Sequence, residues 1–351
     1  MITITPKKVR LSDIAQAADI SLSTASMALS DHPRINSETK KLVQRLSKKF
    51  GYLRPGDRNS LLKKTTNGQK SIRFGFLIVG NRPSDDVFAS LLHSMTIYAK
   101  ELNVRLEVSS IENVGNSVNV QRQVSDFVHE LDGLLIEGLI DKELLSFIEK
   151  TNIPYLVQGN IITKPGEVPP NFGHFISEDN RAMGYLGTGR LIACGHRRIG
   201  FICEKIYHGL WMHNWLAGYQ LAHLDANLGL DPGLIHVAGE TFVGGIPAAR
   251  HFSSMANPPT AYLVPDFRIG ASFINEMQSR GISIPRESII LGGVPDVAVK
   301  YHLESYPAIC ADHILMGRVS IENLYRLYQN PTPYSTAINI PFTTCNLPEP
   351  L

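Results

Sequence analysis

Apolar positions in the first fifty residues recur at helical spacing. Leu11, Ile14, Ala15 and Ala18 stand at i, i+3, i+4 and i+7, one face of a short amphipathic helix. Asp19, Ile20 and Ser21 interrupt it, and Ser21 has the chemistry to cap a second helix. In that helix Ala25, Ala28 and Leu29 fall on one side and Leu22, Ser23, Ser26 and Met27 on the other. The pattern predicts a third helix from a cap at Asn36 to Phe50. Val43, Leu46 and Phe50 turn inward there, and Lys40, Lys41, Arg45, Lys48 and Lys49 outward. Small alanines let two helices approach closely, as a helix-turn-helix requires. A short second helix with small polar residues outward suits a DNA major groove about 12 Å wide. The bland alternative is any three-helix bundle with a solvated basic face.

From Ile72 the pattern changes. Phe74–Val79 is a continuous apolar run ending in Gly80-Asn81-Arg82-Pro83, and a helical period follows through Phe88, Leu91, Leu92, Met95, Tyr98, Ala99 and Leu102. Strands are predicted at 104–108, 133–136, 154–157, 198–203, 235–238, 261–264 and 289–291. Helices are predicted around 120–131, 143–150, 180–193, 211–226, 245–255, 268–281 and 317–328. Apolar strands without alternation, separated by helices, predict parallel sheet covered on both faces. So many strands fit two doubly wound lobes better than one, with a ligand cleft at the strand ends.

Charge sharpens the division. Residues 1–73 carry 15 Lys and Arg against 5 Asp and Glu, a net of +10, while the rest carry 19 against 27, a net of −8. The near-neutral total of +2 hides a basic head on an acidic body, which suggests a polyanionic partner for the head alone. The four cysteines, Cys194, Cys203, Cys310 and Cys345, form no C-x-x-C pair and read as reduced thiols. No export signal or membrane-length apolar stretch is evident, so a cytoplasmic protein is expected. Nucleotide-loop, hydrolase and zinc-protease motifs are missing, so neither catalysis nor a cofactor is expected. Gly187-Thr188-Gly189 falls inside a predicted helix, not after a strand. His208 and His213 lack a third ligand, and no metal is expected.

Leu11-Ser12-Asp13-Ile14-Ala15, Ile20–Ser26, Arg34–Thr39 and Phe50-Gly51-Tyr52-Leu53-Arg54-Pro55, with their spacing, resemble the head of the lactose/galactose repressor family. So do Ser177-Glu178-Asp179-Asn180 and Cys194-Gly195-His196-Arg197-Arg198-Ile199-Gly200 in the body. The resemblance covers nearly the whole chain and is weaker after Cys203. It implies a helix-turn-helix head and a body of two parallel-sheet lobes like sugar-binding periplasmic proteins. It also implies a homodimer on a near-palindromic double-stranded operator, under control of a small-molecule effector. The expected domains are a head at 1–53, a hinge and linker at 54–71, and an effector and dimerisation body at 72–351.

Carried onto this chain, the base-reading positions are Leu22, Ser23 and Met27, while Ser21, Thr24, Asn36 and Thr39 hold phosphates. A hinge leucine that wedges the minor groove maps to Leu62, with Leu61 as its rival; a plain basic linker is the alternative. Met27 replaces a frequent arginine and Leu22 a frequent tyrosine or polar residue, so contact with thymine methyls is expected to weigh more. In the body, the arginine that grips the effector in the family maps to Trp215. A polar anchor before Asp266 is replaced by Pro265, and an aspartate before Asp296 by Pro295. Losing three anchors disfavours simple hexoses, since an unpaired buried polar group costs about 1–3 kcal/mol. An atypical effector stacking on Trp211 or Trp215 is the expectation, set against simple helix packing by both. Gly195 is expected to end a helix and His196 to be a packing residue. A solute-binding module without operator recognition remains the rival reading.

Overall fold

A computed structural model describes residues 11–29, 32, 35–50, 71–80, 88–111, 117–158, 160–161, 173–203, 210–238, 242–332 and 334–350. The chain divides into two compact units, Met1–Lys70 and Ser71–Leu351.

In the first unit, α1 (Leu11–Ala17), α2 (Leu22–Leu29) and α3 (Ser37–Phe50) enclose a small core. Ile14, Ala28 and Val43 are fully buried, with Ile20, Leu29, Ile35 and Leu46 packed around them. Ala25 and Ala28 are the buried residues of α2, the close approach expected of small side chains.

The second unit has two sheets. In chain order its elements begin β1 (Ile72–Val79), α4 (Ala89–Glu101), β2 (Val104–Ile111), α5 (Ser117–Val128), β3 (Gly133–Ile140), α6 (Lys142–Glu149), β4 (Tyr155–Val157), β5 (Asn160–Ile161) and β6 (His174–Glu178). Next come α7 (Asn180–Ala193), β7 (Ile199–Cys203), α8 (Leu210–Asp225), β8 (Ile235–Val237), α9 (Gly245–Ser253), β9 (Ala261–Val264), α10 (Phe267–Ser279) and β10 (Ile289–Gly293). Last are α11 (Pro295–Lys300), β11 (Ala308–Ala311), α12 (His313–Gln329), β12 (Thr336–Ile340) and β13 (Phe342–Cys345). The first sheet runs β12-β6-β4-β3-β1-β2, with β5 on the end of β3, and all its pairings are parallel. The second runs β13-β11-β10-β9-β7-β8, parallel except for its edge strand β13.

The apolar strands are buried as their composition demands, throughout β7, β9 and β11. Strands β5, β6, β11, β12 and β13 and helix α11 lie beyond the elements read from the sequence. Both β12 and β13 are mostly exposed edge strands of mixed polarity, Thr336-Ala337-Ile338-Asn339-Ile340 and Phe342-Thr343-Thr344-Cys345, without the apolar run that marks a buried strand. Helix α12 starts four residues earlier than expected, where the Asp312 carboxylate accepts the Leu315 N–H at 2.9 Å.

The chain passes between the two lobes three times, around 178–180, 311–313 and 340–342. Each lobe is therefore assembled from separate stretches of sequence. At the end of α7, Gly195 takes φ +90°. The N–H groups of Gly195 and His196 bond back to Ile192 and Leu191, and Arg197 Nη1 donates to Ile192 O at 2.9 Å. His196 Nδ1 lies 3.0 Å from the Thr260 hydroxyl, a satisfied packing histidine. Gly187-Thr188-Gly189 is interior to α7. Among the described residues no cluster of His, Cys, Asp or Glu is placed to hold a metal, and no helix is long and apolar enough to cross a membrane. His208 lies outside the described residues.

Candidate functional site

Two regions collect the chemistry. In the head, Ser21 Oγ accepts the Thr24 N–H at 3.1 Å, capping α2, and joins the hydroxyls of Ser23 at 2.8 Å and Thr24 at 2.7 Å. The Asn36 side chain caps α3, accepting the Thr39 N–H at 2.7 Å. Caps of this kind contribute about 1 kcal/mol each. They also put Ser21, Thr24, Asn36 and Thr39 at two helix N-termini, where free N–H groups and the helix dipole favour an anion. Leu22 is 54% exposed and Ser23 and Ser26 are exposed beside it; Met27 is half-buried. An exposed leucine on so small a bundle contributes nothing to its core. Leu61 and Leu62 lie outside the described residues.

In the body, the strand ends that face the crossings carry the polar groups. Parallel pairing sets Ile136 beside Val157, which places Glu137 beside Gln158; the Gln158 N–H donates to Ile136 O at 2.7 Å. Val157 pairs with Phe175, which puts Ile176 beside Gln158 and Glu178 two residues further along the same face. Alternation therefore brings Glu137, Gln158 and Glu178 to one face of the first sheet. Phe74 shares that face and packs edge-on against Tyr325 and Tyr328 of α12. His313, the first residue of α12, meets Glu178, Nε2 to Oε1, at 3.3 Å.

The environments of the two carboxylates differ. Burial alone would raise the Glu178 pKa, but the hydrogen bond and charge of His313, with smaller help from Asn180, hold it below the usual range. Glu137 is pushed well above that range, first by burial and then by the Glu178 charge, against only the N–H of Gly138 at 3.2 Å. Both keep some surface in contact with solvent, so they line a crevice rather than a dry core. Gln158 is 4% exposed, and neither its Oε1 nor its Nε2 has a partner among the described residues.

The Glu137 environment has a pH consequence. Its folded pKa lies above the unfolded value, so its contribution to stability falls as pH rises from about 4.5 toward the folded pKa. Glu137→Gln is expected to raise the thermal midpoint at pH 8, with the gain shrinking as pH approaches 4.5. An equal midpoint for both proteins at pH 8 would count against a strained carboxylate.

The residues expected from the sequence are placed differently. Trp215 is 1% exposed, donates its indole N–H to Asn180 Oδ1 at 2.9 Å and packs its ring against Gly292. It is a core residue of the second lobe, and its ring faces are not open for stacking. Trp211 is half-buried against the same core. Asp266 caps α10 through the N–H groups of Arg268 and Ile269 and is gripped by the Arg268 guanidinium, Nη2 to Oδ2 at 2.6 Å. Its carboxylate is thus engaged in structure. Pro265 is buried at the end of β9, while Pro295 and Asp296 are exposed in the first turn of α11. The sequence reading passed over Glu137, Gln158 and His313 and took Glu178 only as part of a structural motif. The available signal was a charge directly after an apolar run, as in Leu134-Leu135-Ile136-Glu137.

Two family models match the chain: "Bacterial regulatory proteins, lacI family" at residues 10–54 and "Periplasmic binding protein-like domain" at 188–345. The ribose operon repressor of Haemophilus influenzae is 25% identical over 342 residues, covering 97% of each chain. The HTH-type transcriptional repressor CytR of Escherichia coli is 24% identical over 288 residues, 80% of this chain and 79% of its own. Among solved structures, a transcriptional regulator CelR–cellobiose complex aligns with a TM-score of 0.68 at 20% identity, covering 96% of this chain and 98% of its own. A Lac repressor dimer bound to operator and the anti-inducer ONPF aligns at 0.67 and 17%, covering 97% and 98%.

Proposed function

The chain belongs to the lacI family of bacterial regulatory proteins, and from that premise we propose that it is a transcription regulator that binds operator DNA and answers to a small-molecule effector. The reading is carried by α2, a capped helix that presents exposed Leu22 and Ser23 from a basic three-helix head. It is supported by relatives named as repressors.

In this reading the head, 1–53, lays α2 in the major groove, where Leu22, Ser23 and Met27 meet base edges. Ser21, Thr24, Asn36 and Thr39 hold phosphates, which set position and not sequence. Residues 54–71 form the hinge and linker, with Leu62 as the minor-groove wedge. The body, 72–351, pairs with a second copy, so that two heads span a near-palindromic site. The effector sits in the crevice lined by Glu137, Gln158, Glu178 and His313. These groups border two of the three crossings, so a ligand that prefers one lobe arrangement shifts the spacing of the heads. The protein acts in the cytoplasm and performs no chemistry of its own.

Selection of bound duplexes from a random library by the full-length protein tests this. Two half-sites about one helical turn apart are expected, with A·T pairs under Leu22 and Met27 and affinity that falls steeply with salt. Enrichment of no sequence would favour a solute-binding module. Enriched half-sites without A·T pairs at those positions would reject the assignment of Leu22 and Met27.

A further inference from the structure

We propose that the crevice binds a cationic effector: a small, hydroxyl-bearing ligand whose protonated amine lies against Glu137 while its neutral polar groups satisfy Gln158. The inference rests on the effector reading above and adds the chemical class of the ligand.

The argument starts from what each group lacks. Glu178 is provided for, since His313 meets it from the start of α12 and Asn180 Nδ2 donates to its backbone oxygen at 3.2 Å. Glu137, on the same face, accepts from the adjacent Gly138 N–H, and among the described residues no cation is given to it. A carboxylate held this deep beside a second carboxylate stays charged only if a cation arrives. Gln158 has an amide donor and a carbonyl acceptor, both unpaired among the described residues and almost wholly buried beside Glu137. Native proteins rarely leave such groups orphaned, because each costs about 1–3 kcal/mol. A ligand with one cationic donor and hydroxyls that both donate and accept meets all of these demands.

The opposite polarity is disfavoured by the same residues. Where the family resemblance places an arginine, this chain has Trp215, whose single N–H is already given to Asn180. The second lobe's Arg268 is bound to Asp266. An anionic ligand would meet two carboxylates with His313 as the one basic side chain shown touching them. A neutral hexose would satisfy Gln158 but would meet Glu137 as a protonated acid and gain no charge contact there.

Titration calorimetry with the full-length protein tests the proposal on matched pairs differing by one ammonium for one hydroxyl. The probes are glucosamine and glucose, galactosamine and galactose, mannosamine and mannose, with agmatine and putrescine as amines without a sugar ring. At least one amine is expected to bind tenfold or more tighter than its neutral counterpart or than any neutral sugar. Glu137→Gln, a change of charge at constant shape, is expected to remove that preference; Gln158→Leu is expected to weaken amino sugars and leave putrescine unaffected. Thermal midpoints of both variants establish that they fold. The proposal is overturned if no amine exceeds the neutral sugars, or if an amine preference survives Glu137→Gln. Calorimetry reads ligand binding without DNA, so failure here leaves operator selection intact, and failed operator selection leaves this result interpretable.

Discussion

Gly218→Ala is expected to destabilise residues 71–351 by about 3 kcal/mol or more, beyond the usual cost of an added methyl in a packed core. The added carbon would stand 2.1 Å from Arg181 O, 2.5 Å from Tyr185 N and 2.9 Å from Gly184 C. Gly184 faces the same problem from the other helix, 2.2 Å from Trp215 O. All these obstacles are backbone atoms, so no rotamer change relieves them, and α7 and α8 must separate. That separation would pull Trp215 Nε1 from Asn180 Oδ1, so the damage should reach Glu178, whose backbone oxygen Asn180 also holds. Gly189→Ala is the matched control in the interior of α7. Its new carbon meets nothing within 4 Å, and alanine is favoured over glycine in a helix by roughly 0.5–1 kcal/mol. Thermal unfolding of the three proteins decides the matter: a Gly218→Ala midpoint within about 2 °C of wild type, where 1 kcal/mol moves a large domain by about 2–4 °C, would show that the helices are not locked.

Ile14→Ala is expected to cost about 2–5 kcal/mol in the head alone. Ile14 is fully buried in the core shared by α1, α2 and α3. A bundle this small has little stability to lose. The head should therefore unfold and operator affinity fall by more than about 100-fold, the factor that 2.7 kcal/mol represents. The body is a separate compact unit, so its thermal transition should not move. Retained operator binding by Ile14→Ala would show that the head is held by something other than this core. A shifted body transition would show that the two units are coupled.

The head was legible because its signals are local. Ser21 and Asn36 announce caps by residue type, and the alanines of α2 announce close packing, all within thirty residues of chain. The two-lobed body was legible from apolar strands such as Phe74–Val79, which admit no exposed face. Strands β12 and β13 were not, because an edge strand with one polar side has the composition of a loop. The crevice was hidden for a different reason. Glu137, Gln158, Glu178 and His313 span 177 residues of sequence yet meet through strand register and a crossing between lobes. Nothing local to any one of them names its neighbours. At two positions taken from the family resemblance the side chain is engaged within this chain: Trp215 with Asn180, and Asp266 with Arg268.

The three passages between lobes also set the order in which a ribosome can deliver a folded body. Among the described residues the first lobe has six of its seven strands by residue 178, but α12 and β12 arrive only after all of the second lobe except its edge strand β13 has been synthesised. At 5–20 residues per second, the stretch from 178 to 340 takes roughly 10–30 s. During that time the face of Phe74, Phe76 and Ile78 awaits its covering helix, and Glu178 awaits His313. A nascent chain of this kind presents an apolar sheet face to chaperones for many seconds, and a message truncated before 313 leaves the first lobe without α12 and β12 and the second without its edge strand β13.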